Sequence, residues 1–81
     1  MKVEYSDAVR QALQGAPDAV KKAFFKQIKF LECDLHHPSL RAKKYDQGRN
    51  RWQARVNKAW RFYFAIVDDV YHIIKVIPHP K

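Results

Sequence analysis

Apolar and polar positions along the chain follow two different rhythms. In the N-terminal half the apolar residues recur every three to four positions, the period of a helix with one buried side. Val9, Ala12 and Leu13 define a short helix that Ser6 opens as N-cap. Asp7 lies in its first turn, where a carboxylate suits the helix dipole, and Gly15 ends it. Pro17 and Asp18 open a second helix, because proline is tolerated at a helix start. Val20, Phe24, Ile28 and Leu31 mark its buried face, flanked by Ala23 and Phe25, while Lys22, Lys26 and Lys29 form a stripe expected to face solvent. Ahead of both helices, residues 2–5 form a short strand with Val3 and Tyr5 on one side.

The last third alternates with period two. Trp52, Ala54 and Val56 share one face of a strand, and Gln53, Arg55 and Asn57 share the other. The pattern resumes with Trp60, Phe62, Phe64 and Ile66 against Arg61, Tyr63, Ala65 and Val67. A loop at Asn57, Lys58 and Ala59 pairs Val56 with Trp60 and keeps every large apolar side chain on one face. A loop one residue shorter would turn one strand over and bury charge. With this register Arg55 stands opposite Arg61, and Gln53 opposite Tyr63. Like charges directly opposite destabilise a sheet, so the pair makes sense if an anion sits between them. Asp68 and Asp69 form the next turn, and the apolar run 70–77 predicts a central strand covered on both faces, its register open. Pro78 and Pro80 end the pairing around His79.

Between these halves, residues 36–50 are polar, basic and without clear periodicity, which predicts a long loop with Gly48 at a turn. His36 and His37 are adjacent, so on extended backbone they point apart. No cysteine or carboxylate lies at ligand spacing from them, and neither a metal site nor a cofactor is expected. The net charge of +8 is unevenly spread. Residues 36–61 hold Arg41, Lys43, Lys44, Arg49, Arg51, Arg55, Lys58 and Arg61 against Asp46 alone, while the flanking segments nearly balance. Basic residues interleaved with aromatics beside a strand pattern point to a phosphate-binding surface.

Eighty-one residues, 47% of them apolar, suffice for one domain spanning residues 1–81 and a modest core. Cys33 is the one cysteine, which excludes an intramolecular disulfide. No apolar run approaches the roughly 18 residues of a membrane span, and no apolar leader follows Met1, so a soluble, cytoplasmic protein without membrane contact is expected. The element order reads as an α+β fold.

The segment RWQARVNKAWRFYFAIVDDVYHIIKVIPHPK, residues 51–81, resembles the RelE/ParE superfamily of bacterial toxins. The resemblance rests on W-x-x-R-V at 52–56, W-R-F-x-F at 60–64, the acidic turn at 68–69 and the late His79. The upstream H-H-P-S-L-R-x-K-K at 36–44 and the two-helix N-terminal half extend it over almost the whole chain. It implies two N-terminal helices packed on a twisted, mainly antiparallel sheet. It also implies the toxin of a type II toxin–antitoxin module, in the RelE/YoeB/HigB-like branch. Toxins of that branch are ribosome-dependent endoribonucleases that cut messenger RNA without a metal. The expected partners are a cognate antitoxin and the ribosome with its message. The rival branch, ParE, inhibits DNA gyrase without nuclease activity, and an inactive homologue is the third reading.

The resemblance implies roles for particular residues. His79 matches the late histidine of the YoeB and HigB-like branches and is suited to proton transfer. Arg61 matches the strand arginine that contacts the reacting phosphate, and Arg55 the second sheet arginine. Lys44 completes the catalytic candidates and sits with Lys43 in the basic loop flanking the cleavage site, and Lys43, Arg41, Arg49, Arg51 and Tyr63 are the RNA-binding candidates. Pro80 follows His79 where the YoeB branch has an aromatic residue. Asp46 does not align with that branch's glutamate base, so the general base is open.

Overall fold

Side chains three and four apart give each predicted helix one apolar side, and both helices form. The computed structural model of the chain describes residues 2–78, with α1 at Asp7–Gln14 and α2 at Asp18–Cys33. The Ser6 hydroxyl accepts from the Val9 amide at 3.2 Å, capping α1, and donates to the Ile74 carbonyl at 2.9 Å. A single side chain thus starts the helix and ties it to the far end of the sequence.

Five strands make one sheet in the order β1-β5-β4-β3-β2: β1 Lys2–Tyr5, β2 Lys43–Asp46, β3 Arg51–Arg55, β4 Trp60–Val67 and β5 Val70–Pro78. β1 runs parallel to β5, and the remaining neighbours are antiparallel. The β3–β4 hairpin has the predicted register, with Arg55 opposite Arg61 and Gln53 opposite Tyr63. The Val56 amide donates to the Trp60 carbonyl at 3.0 Å, and the Asn57 side chain accepts from the Ala59 and Trp60 amides at 2.8 and 3.0 Å. Asp68 and Asp69 both take positive φ, 52° and 63°, as a two-residue hairpin turn between paired Val67 and Val70 requires.

Both helices pack on one face of the sheet, and the core lies between. Val9, Val20, Phe24, Ile28 and Leu31 meet Ala54, Val56, Phe62, Phe64, Tyr71, Ile73 and Val76. Phe24, Phe62 and Phe64 are fully buried, with Phe24 edge-on to Phe62 at 5.5 Å. No helix among the described residues is long and apolar enough to cross a membrane.

Two expectations need correcting. The run 70–77 is an interior strand, yet β4 is the middle one, and only one face of β5 is covered. Both helices lie on one face of the sheet, and a bulge lets the apolar run fit a one-sided strand. Tyr63 pairs with Lys75 but Phe64 with Ile73, so Ile74 is an extra residue. The bulge resets the alternation, turning Tyr71, Ile73 and Val76 inward and leaving Lys75 exposed. The second correction concerns residues 36–50. This segment is not all loop, because Lys43–Asp46 adds the edge strand β2. It is also anchored before that strand, where Leu40 is fully buried and its carbonyl accepts from the Arg55 amide at 2.8 Å.

Candidate nucleic-acid interface

Strand alternation puts the core side chains of β3 and β4 under the helices and the intervening ones on the open face. That face carries Arg51, Gln53 and Arg55 from β3 beside Arg61, Tyr63 and Ala65 from β4. Lys43 joins them opposite Gln53, and Lys75 opposite Tyr63. Carboxylates stand only at its margins among the described residues. Asp46 lies at the β2 edge, where it holds Arg49 through the Arg49 amide (3.3 Å) and guanidinium (3.9 Å). Glu4 lies at the β1 edge beside His72, 3.6 Å away. Among the described residues no ion pair neutralises the cations between them.

The arginines gather at the hairpin end. Arg41, Arg55 and Arg61, with Gln53 and Ala54, line a hollow of about 30 Å³. Arg41 reaches it because its backbone is left-handed (φ 47°), a conformation uncommon outside glycine, directly after the buried Leu40. Strain of this kind collects at functional sites. The Arg55 guanidinium is pushed below its ordinary pKa, first by the charge of Arg41, then by burial, then by Arg61. Its Nε is sealed from solvent and has no hydrogen-bond partner among the described residues. Arg61 spends one arm on the hairpin, donating from Nη1 to the Asn57 and Trp60 carbonyls at 3.0 and 3.2 Å. These bonds fix its direction. Three cations crowded around a hollow, one with an idle donor, form a site that gains energy when an anion enters.

Behind the hollow runs an open groove of about 510 Å³ between α2, residues 38–41 and the hairpin. Arg41 and Arg55 border it too, with Lys26 and Lys58. Its floor is set by Gln27, 5% exposed, which donates through Nε2 to the Ser39 and Arg55 carbonyls, both at 2.9 Å. Gln27 Oε1 accepts from the Ser39 hydroxyl at 3.1 Å. This residue positions Arg55 and was missed in the sequence. Its signal was a polar side chain on the apolar stripe of α2, three positions after Phe24.

The other sequence candidates divide by location. Arg51 and Tyr63 lie on the arginine face, and Lys43 borders it. Lys44 does not. It pairs with Trp52, on the helix side, and its Nζ sits 5.6 Å from the centre of the Trp52 ring. Arg49 is exposed in the turn between β2 and β3, held by Asp46. His79 lies outside the described residues. Among the histidines, His37 stacks on Phe30 at 3.9 Å and accepts the Ser39 amide on Nδ1 at 3.1 Å, a structural use of the ring.

The fold and this open face together define a class. No family model and no curated protein matches the sequence. Solved structures it is similar to include toxins of the RelE and YoeB kind. The RelE–RelB complex from Pyrococcus horikoshii OT3 superposes with a TM-score of 0.81 at 23% identity, covering 95% of this chain and 92% of that one. A YoeB/ParE toxin from Agrobacterium tumefaciens gives 0.81 at 12% identity, covering 99% and 100%. The YoeB–YefM heterotetramer from Staphylococcus aureus gives 0.78 at 14%, covering 99% and 98%. The chain therefore has the RelE/ParE fold, an α+β arrangement of two helices on a five-stranded sheet.

Proposed function

We propose that this protein is the toxin of a type II toxin–antitoxin pair and a ribosome-dependent endoribonuclease that cuts messenger RNA. The observation that carries the reading is the convergence of Arg41, Arg55 and Arg61 on one hollow, with the Arg55 Nε unpartnered. A phosphodiester suits that hollow, bringing negative charge to three crowded cations and acceptor oxygens to their guanidinium groups.

In the proposed reaction the 2′-hydroxyl of one nucleotide attacks the adjacent phosphorus. The bond from phosphorus to the 5′-oxygen of the next nucleotide breaks, leaving a 2′,3′-cyclic phosphate and a free 5′-hydroxyl. One proton leaves the attacking hydroxyl and one is delivered to the departing oxygen, so protein groups alone can run the chemistry. Arg55 and Arg61 hold the nonbridging oxygens, where negative charge builds up in the transition state. Arg41 adds charge from the groove side. His79, which follows Pro78 in the chain, is assigned one of the proton transfers. Lys43 and Arg51 extend the positive face along the strand. Lys44 and Arg49 are left as outlying phosphate contacts, away from the reacting centre.

The proposed partner that silences the toxin is an acidic antitoxin, whose carboxylates would neutralise the same cations. The structural neighbours include complexes of a RelE with RelB and of a YoeB with YefM, which supports such a partner. A cytoplasmic location follows from the proposed ribosomal target. The test is inducible expression in bacteria with mapping of messenger RNA ends in translated and untranslated transcripts. Cuts confined to translated frames are expected. Double-strand DNA breaks with intact messages would instead assign the gyrase-inhibiting role of the ParE branch, and neither lesion would mark an inactive homologue.

A further inference from the structure

The open face also carries an aromatic group that the phosphate site does not use. The register between β2 and β3 slips between Lys44 and Asp46, leaving Tyr45 unpaired as an extra residue. Its ring reaches across the sheet to Tyr63, with centres 5.4 Å apart and planes at 87°. Lys75 Nζ lies 4.7 Å from the centre of the Tyr63 ring. Tyr45 is nonetheless 49% exposed, so nothing in the core explains a large aromatic there. Gln53 stands between β2 and Tyr63 and also lines the arginine hollow. The aromatic pair and the hollow are therefore neighbours on one surface.

We propose that Tyr45, braced by the perpendicular Tyr63 ring, offers a stacking platform for an unpaired RNA base, one nucleotide along the strand from the phosphate held by Arg55 and Arg61. Spacing supports this. Residues 61 and 63 point the same way along β4, about 6.6 Å apart, comparable to one step of an extended nucleotide chain. Charge supports it as well, because Lys43, Lys75 and Arg51 surround the rings and the carboxylates stand at the margins of the face. Aromatic rings among cations suit single-stranded nucleic acid, where the backbone follows the charge and the bases lie on the rings. Such stacking is tolerant of base identity, since every base has a π face. Alternation from Lys43 puts Tyr45 on the open face, and the bulge leaves it without a partner on β3.

The proposal rests on the RNA reading of the arginine cluster, and the two can fail separately. The probe is a short single-stranded oligoribonucleotide carrying a fluorescent purine analogue at one position, compared with the same oligomer abasic at that position. The parent protein is expected to quench the analogue by stacking and to bind the intact oligomer about 5- to 100-fold more tightly than the abasic one. Tyr45→Leu keeps apolar bulk but removes the π face, and should lose both the quenching and the preference. Tyr45→Trp should keep both. The position is exposed, so neither variant threatens the fold. Binding that needs Arg55 but is indifferent to the base and to Tyr45→Leu would overturn the platform and leave the phosphate site standing. No binding by the parent would overturn the platform, and the phosphate site is then judged separately by cleavage on the ribosome. A glutamate-rich peptide that suffers the same loss on Tyr45→Leu would also overturn it, because a peptide has no base to stack.

Discussion

The two faces of β3 and β4 come from the same thirteen positions of sequence (five in Arg51–Arg55 and eight in Trp60–Val67) yet obey opposite rules. The helix-side face holds Trp52, Ala54, Phe62 and Phe64, packed and neutral, with Trp52 stacked on Phe64 at 6.1 Å. The open face sets Arg55 against Arg61 and adds Arg41, a conflict of like charges that raises the energy of the unliganded protein. The first face stores stability; the second gives some up and recovers it when an anion arrives. A residue's side of the strand therefore foretells whether its loss is felt in folding or in binding.

The sharpest way to break this division is Phe64→Ala. Phe64 touches Trp52, Phe62 and Tyr71, and its loss should cost about 3–5 kcal/mol. Chemical denaturation should show a lower midpoint with an unchanged slope. Native-like stability would mean that this face is not the core.

Gln27→Leu probes the seam between the faces. The substitution leaves the Ser39 and Arg55 carbonyls without their shared donor. A loss of about 1–3 kcal/mol is expected for buried groups stranded in this way. Weaker anion binding should accompany it, because the Arg55 backbone is no longer held. If stability falls while phosphate affinity is untouched, Gln27 is a fold residue only.

The smallest effect separates two neighbours. Lys43 borders the open face, whereas Lys44 lies over Trp52. Lys43→Ala should reduce the salt dependence of single-stranded RNA binding by about 0.7 in the log–log slope, the share of one phosphate. Lys44→Ala, at an outlying contact, should lower that slope by less. Equal effects would erase the distinction between the faces at this edge.

Much of this division was legible in the sequence. The alternation of large apolar residues pointed to the β3–β4 register, because a loop one residue shorter buries charge, and with it to the pairing of Arg55 with Arg61. Ser6 announced α1 through its capping chemistry. What escaped depended on irregular backbone. β2 reads K-K-Y-D, an edge strand with little to bury, so no alternation marks it. Its pairing with Gln53 and Trp52 puts Lys43 on the open face and Lys44 on the helix side, and nothing in the spacing of charges reveals that pairing or the bulge that follows it. The bulge at Ile74 likewise fits an apolar run to a one-sided strand. Arg41 was recognisable as a cation of the basic segment. Its meeting with Arg55 required the left-handed turn after Leu40. The tool-like fitness of His79 for proton transfer is a matter of chemistry, and its position lies outside the described residues.

The central claim is that the crowded arginines on the open face hold the phosphate at which RNA is cut. The most direct measurement is single-turnover cleavage of a defined message on programmed ribosomes, comparing the parent with Arg55→Gln, alongside the melting temperature of each. The account predicts a rate lower by about 10²–10³, the usual cost of removing one charge-stabilising donor. It also predicts a melting temperature equal to or above the parent's, because the repulsion from Arg41 and Arg61 is relieved. An Arg55→Gln protein that cuts as fast as the parent would contradict the claim.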